Sequence, residues 1–117
     1  MSADDAQGVR ALLIEPDGPS RVVRVRDADD VRRVMRAAST DAHVVLDGTT
    51  IVWVGYGSEE WNTTASSFLT FLGSGLRGAV NGPLLITGAG DDGLDDGLDD
   101  LGPEVEAAAR AYGLITA

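Results

Sequence analysis

Read for its alternation of apolar and polar positions, the chain divides into short runs of two kinds. A two-residue alternation predicts strands, and apolar positions at i, i+3, i+4 and i+7 predict helices. Val9 to Glu15 (VRALLIE) reads as a first strand, stopped by the turn Pro16-Asp17-Gly18-Pro19. Arg21 to Arg26 (RVVRVR) is a second strand pairing back onto it, with Val23 and Val25 facing one way and Arg24 and Arg26 the other. Asp27 then caps a helix, with Asp29 and Asp30 in its first turn where the positive end of the helix dipole favours carboxylates. That helix extends to Ala38 and carries Val31, Val34, Met35 and Ala38 as its apolar stripe. Arg32, Arg33 and Arg36 lie off the stripe, in water.

The stretch around which the rest is arranged is His43 to Gly57, HVVLDGTTIVWVGYG. Two β-branched runs flank Asp47-Gly48, a dipeptide that accepts the positive φ of a tight primed turn. If the loop is Asp47-Gly48, Leu46 sits opposite Thr49; if it runs from Asp47 to Thr50, Leu46 sits opposite Ile51. Both loops are even in length, so both place Val44, Leu46, Ile51 and Trp53 on one face. That face is expected to be the core side, with Trp53 as its largest anchor. The opposite face (His43, Val45, Val52, Val54) is apolar enough to be covered too.

Farther on, Ala65, Phe68, Leu69 and Leu72 fit one face of a helix over Asn62 to Leu72, whose Thr and Ser content requires packing to hold it. Gly73 to Gly82 reads as a loop, Pro83 to Thr87 (PLLIT) as the central strand, and Gly88 to Gly102 as a loop rich in Asp and Gly. A last helix starts near Pro103, buries Val105, Ala108, Ala109 and Tyr112, and stops at Gly113. The predicted order is β-β-α-β-β-α-β-α, a small α+β domain of one sheet with helices packed on it.

Length and composition narrow the class. A chain of 117 residues makes a single domain, 1–117, with residues 1–8 expected to be disordered. The absence of cysteine excludes disulfides, thiolate metal sites and cysteine nucleophiles. No secretory leader and no apolar run of membrane-spanning length is visible, so a soluble cytoplasmic protein is expected. The net charge of −10 is unevenly placed. Residues 1–40 carry seven acidic and seven basic side chains, whereas residues 41–117 carry twelve acidic side chains against Arg77 and Arg110. One half of the molecule therefore repels nucleic acid and attracts basic surfaces.

Several segments recur in an order that resembles a known family. They are Arg10-Ala-Leu-Leu-Ile-Glu-Pro-Asp-Gly18, the hairpin around Asp47-Gly48, Asn62 to Ala65, and Gly82-Pro-Leu-Leu-Ile-Thr-Gly88 followed by acidic residues. The pattern is similar to the small actinobacterial and phage proteins catalogued as domain of unknown function 3846. That family continues its second hairpin strand into a Glu-Gly turn and an Asn-rich turn before an Ala-Thr pair. Here the region is only Gly55-Tyr-Gly-Ser-Glu-Glu-Trp-Asn62-Thr-Thr-Ala65. The resemblance implies this fold and a phage or mobile-element setting; it implies no activity.

Candidate chemistry is sparse. Gly73-Ser-Gly75-Leu-Arg-Gly78 and Gly88-Ala-Gly90-Asp-Asp-Gly93 both match G-x-G-x-x-G. The first lacks a preceding strand, and the second places Asp91 and Asp92 where a pyrophosphate would sit, so loop geometry is the better reading of both. Asp91, Asp92, Asp95, Asp96, Asp99 and Asp100 form a near-repeat of carboxylates. Three readings compete for it: a solvated acidic loop, a hard-cation site, or a surface that imitates nucleic-acid phosphates or docks on a basic partner. The six arginines between Arg21 and Arg36 are expected to pair with Asp27, Asp29, Asp30 and each other's neighbours along the strand and helix rather than to bind phosphate or an acidic partner. His43, the sole histidine, lies in an apolar strand, and Ser58, Ser66 and Ser67 lack a nucleophile-elbow motif.

Glu59, Glu60, Trp61 and Asn62 form the one polar and aromatic cluster outside a helix stripe. The expectation is a non-enzymatic, macromolecule-binding or regulatory module. Its partner is a protein with a basic surface, bound through Asp91, Asp92, Asp95, Asp96, Asp99, Asp100 and Glu59 to Asn62. No catalytic residue, cofactor, metal, membrane or direct nucleic-acid contact is expected, and the arginine-rich half is free to contact a neighbouring subunit in a homo-oligomer. The alternatives are an acidic nucleic-acid mimic that inhibits a DNA-acting protein, and a small ligand binder or enzyme using Glu59 to Asn62 with His43.

Overall fold

A computed structural model describes residues 8–16, 20–46, 48–57, 59–73, 80–90 and 93–115, with the backbone alone for residues 90 and 93–97. In chain order these form β1 (Val9–Ile14), β2 (Arg21–Val25), α1 (Ala28–Met35), β3 (Ser39–Val45), β4 (Thr50–Tyr56), α2 (Thr63–Leu72), β5 (Leu84–Gly90), β6 (Gly93–Asp99) and α3 (Pro103–Tyr112). The α+β architecture and the element order expected from the sequence hold, with one strand added. All strand pairs are antiparallel, in the order β2-β1-β5-β4-β3, and β6 pairs with the outer part of β5. Among the described residues no helix is long and apolar enough to cross a membrane.

The PLLIT segment occupies the centre, and Leu84, Leu85 and Ile86 are fully buried because the sheet is covered on both faces. On one face Leu12, Ile14, Val45, Val52, Leu84 and Ile86 pack against Ala65, Phe68 and Leu69 of α2 and Val105 and Ala109 of α3. On the other, Ala11, Leu13, Val25, Ile51, Trp53 and Leu85 pack against Val31 and Met35 of α1. Strand alternation assigns neighbouring residues to opposite cores, which is why nearly unbroken apolar runs are needed here.

The central hairpin has the register that sets Leu46 opposite Thr49, with Val44 facing Ile51 and Ala42 facing Trp53. Trp53 is buried at 7% exposure, beside Ile51, and its indole N–H donates to Thr87 Oγ1 at 3.2 Å. Two members of the expected core face depart from it. Val44 is 41% exposed because β3 is the edge of the sheet and α1 does not reach over it. Leu46 adopts a left-handed conformation (φ 54°), which ends the ladder and turns its side chain onto the opposite core. A left-handed leucine costs about 1–2 kcal/mol. The turn is closed by Gly48 N–H to Val45 O and Thr49 N–H to Leu46 O, both at 3.2 Å; Asp47 lies outside the described residues.

The stretch 88–102 differs most from expectation. It contains the end of β5 and the whole of β6, with Gly88 opposite Asp99 and Ala89 opposite Leu98. Gly88 permits this pairing: a Cβ there would run into the Asp100 carbonyl oxygen. Leu98 joins the core of the α1 face and Leu101 that of the α2–α3 face. The Leu101 N–H donates to Arg10 O at 2.9 Å, tying the segment to β1.

Smaller adjustments follow the caps. Helix α1 begins at its Asp27 cap, whose side chain accepts from Asp30 N, and stops at a left-handed Arg36 rather than at Ala38. Strand β3 consequently starts at Ser39. Tyr112 is 37% exposed instead of buried. Of the segment expected to be disordered, residues 1–7 lie outside the described residues, and the carbonyl of Gly8 accepts from Arg24 Nη1 at 3.2 Å.

Candidate functional site

The sequence-predicted cluster Glu59 to Asn62 is built from its last member outward. Asn62 is fully buried and its side chain makes three internal hydrogen bonds. Its Nδ2 donates to Ile14 O and Gly82 O at 2.9 Å each, and its Oδ1 caps α2 by accepting from Ala65 N at 3.0 Å. Asn62 therefore cannot touch a partner. Its part is to fix the segment that precedes it, because a buried amide with both protons donated and its oxygen accepting holds its backbone rigidly.

The residues before it are tied to the same frame. Asn62 N–H donates to Val80 O and Gly82 N–H to Glu60 O, both at 2.7 Å, and Trp61 forms an antiparallel bridge with Asn81. On this mount Glu59 and Glu60 are exposed and Trp61 is 67% exposed. Tyr56, at the same end of the sheet, is 48% exposed. Its hydroxyl donates to Asp41 Oδ2 at 2.7 Å, which raises the phenol above its ordinary pKa because ionisation would lose that bond.

The acidic segment is only partly in view. Asp91 and Asp92 fall outside the described residues; Asp95 and Asp96 are placed on β6 by backbone alone. Asp99 and Asp100 are exposed. Asp100 Oδ1 accepts from Arg10 N at 2.9 Å, and Asp99 Oδ1 accepts from Asp100 N at 2.8 Å, so both also shape the strand end.

The expected pairing of the arginines holds at Asp30, and elsewhere Glu15 and Glu106 take the place of Asp27 and Asp29. Three carboxylates each hold two guanidinium groups. Glu15 takes Arg21 and Arg36 at 2.8 and 3.1 Å, Asp30 takes Arg26 and Arg33 at 2.9 and 2.8 Å, and Glu106 takes Arg10 and Arg110 at 2.7 and 3.0 Å. Hydrogen bonds from Arg26 lower the Asp30 carboxyl below its ordinary value. Those from Arg10 and Arg110 do the same for Glu106. Asp27 is spent on the helix cap and takes no guanidinium among the described residues. Glu15 and Glu106 were missed as centres; only the i, i+4 spacing of Glu106 and Arg110 gave a sign of one.

Among the described residues catalytic geometry does not assemble around those singled out in the sequence; Ser58 lies outside the described residues. His43 is exposed on the edge strand β3. Ser66 Oγ donates to Asn62 O and accepts from Val80 N, a structural pairing within the mount of Trp61. Among the described residues no three His, Cys, Asp or Glu side chains are grouped to hold a metal ion. Gly88 to Gly90 is strand with another strand after it, which removes the strand–loop–helix setting a dinucleotide loop needs. No known family, curated protein or solved structure matches the chain.

Proposed function

We propose that the chain is a non-enzymatic module that binds a protein with a basic surface, and that Trp61, with Glu59 and Glu60, is the centre of its contact. The supporting observation is the exposure of Trp61 on a fixed backbone. A tryptophan side chain of 150–250 Å² or so is unfavourable in water and gains most when a partner covers it, and its indole face attracts Arg or Lys. Because the mount is already ordered, little entropy is lost on binding. The two glutamates favour the same cationic partner.

Charge at longer range supports the same partner. One of the two arginines after residue 40, Arg110, is already paired with Glu106. Among the described residues Glu59, Asp99 and Glu104 form no ion pair with a guanidinium. In this reading Asp91, Asp92, Asp95, Asp96, Asp99 and Asp100 steer the partner by their field, while Trp61 holds it.

The test is affinity capture from the native host lysate with wild type and Trp61→Ala, at low and moderate salt. A protein retained by wild type, lost with Trp61→Ala and weakened by salt is expected. Equal capture by both chains would contradict the role of Trp61.

A further inference from the structure

At the end of α2 opposite Trp61, an open groove of about 600 Å³ separates the β3–β4 turn from the two helices. Leu46 and Thr49 line it from the turn, Phe71 and Leu72 from α2, and Val105 and Ala108 from α3. Phe71 is 53% exposed yet held in place, its ring 5.0 Å from Tyr112 and 6.2 Å from Phe68. Leu46 reaches the groove only through its left-handed backbone (φ 54°), a conformation that suits Gly or Asn far better. An apolar side chain kept there against its backbone preference is more than turn geometry requires.

The mouth is acidic. Glu104 lies in the lining, which contains no arginine. Asp99 stands opposite Gly88, whose other neighbour across the sheet is Thr50 of the groove floor. The N-terminus of α3 contributes only about half a positive charge there, less than the full negative charge of Glu104 in the lining. We infer that this groove docks a segment of a partner protein that presents a large apolar side chain beside Lys or Arg. A small ligand would leave too much of itself in water, since ligand sites enclose roughly 70–90% of their occupant. A second copy would bring the same carboxylates face to face across a two-fold axis. The inference goes beyond the Trp61 contact and shares with it only the basic character of the partner.

The probe is a random peptide library displayed on phage and selected on the intact chain at low salt. One selected peptide is then titrated by fluorescence anisotropy against wild type, Phe71→Ser, Glu104→Arg, Trp61→Ala and, as a surface control, Arg32→Ala. Selected peptides are expected to carry Leu, Ile or Phe next to Lys or Arg. Phe71→Ser should weaken the peptide on the order of tenfold or more, as loss of a central aromatic contact does, and selection on Glu104→Arg should shift to acidic flanks. Both sites are exposed, and thermal melts confirm that the variants fold. Absence of enrichment, or peptides indifferent to Phe71→Ser, would overturn the proposal. So would loss with Trp61→Ala alone, which would leave the Trp61 reading standing. A concentration-dependent dimer abolished by Phe71→Ser would identify a second copy as the occupant and would also overturn it.

Discussion

Asn62 and Trp53 show how single side chains divide the work between holding the fold and leaving a surface for binding. Trp53 fills the core between the sheet and α1 and uses its one polar atom on Thr87. Trp53→Ala should cost about 3–5 kcal/mol, the usual penalty for emptying an aromatic core site, and an unchanged melting temperature would refute the assigned face. Asn62 joins β1, the segment before β5 and the start of α2 through one amide. Asn62→Ala leaves two buried carbonyls and one helix N–H without this partner, a loss of at least about 2 kcal/mol in denaturant unfolding. Trp53 was legible in the sequence because alternation about an even turn fixes its face whatever the turn length. Asn62 was not, since an Asn before a helical run reads equally as an exposed cap. What decides is the convergence of Ile14 and Gly82 on it, residues far away in the chain. Leu46 escaped for a related reason, because alternation assumes extended backbone and one positive φ reverses the side.

Helices and five of the six strands were readable because each carries an apolar period and most are bounded by a marker residue, such as Asp27, Asn62, Pro103 or Gly113. Strand β6 was hidden because Gly93 and Gly97 dilute its pattern and its aspartates mimic a solvated loop. It forms where Gly88 lets the chain lie close. Gly88→Ala would drive a methyl into the Asp100 carbonyl, so a loss on the order of 2–3 kcal/mol, with selective gain of hydrogen exchange over residues 93–101, is expected. Exchange that stays unchanged would argue against the pairing. The arginine clamps make a separate prediction about acid. Asp30 and Glu106 have folded-state pKa values below their ordinary 3.8 and 4.5, so their stabilisation is complete above those values and is lost as pH falls through the lower folded ones. The double variant Asp30→Asn, Glu106→Gln should melt lower than wild type at neutral pH, and the gap should close in acid. A gap that does not change with pH would mean the clamps contribute only packing.

Across the whole molecule, ion pairs engage Arg10, Arg21, Arg26, Arg33 and Arg36 of the arginine-rich half, while the sequence after residue 40 sets twelve carboxylates against two arginines. That asymmetry was visible in the sequence, whereas the three two-arginine clamps and the exposed mount of Trp61 required the fold. A field of this kind attracts cations diffusely without caging one, so calcium should move the melting temperature very little. A saturable rise of several degrees at micromolar calcium, abolished by Asp95→Ala, would instead establish a site. The central claim is that the molecule's negative field recruits a basic protein which Trp61, at the other end of β5 from the β6 aspartates, then holds. It is tested most directly by the association and dissociation rates of the captured partner as functions of salt, for wild type and for Trp61→Ala. The account predicts that wild-type association slows on the order of tenfold or more from low to high salt, and that Trp61→Ala speeds dissociation while keeping the same salt slope. Association indifferent to salt, together with dissociation indifferent to Trp61→Ala, would contradict it.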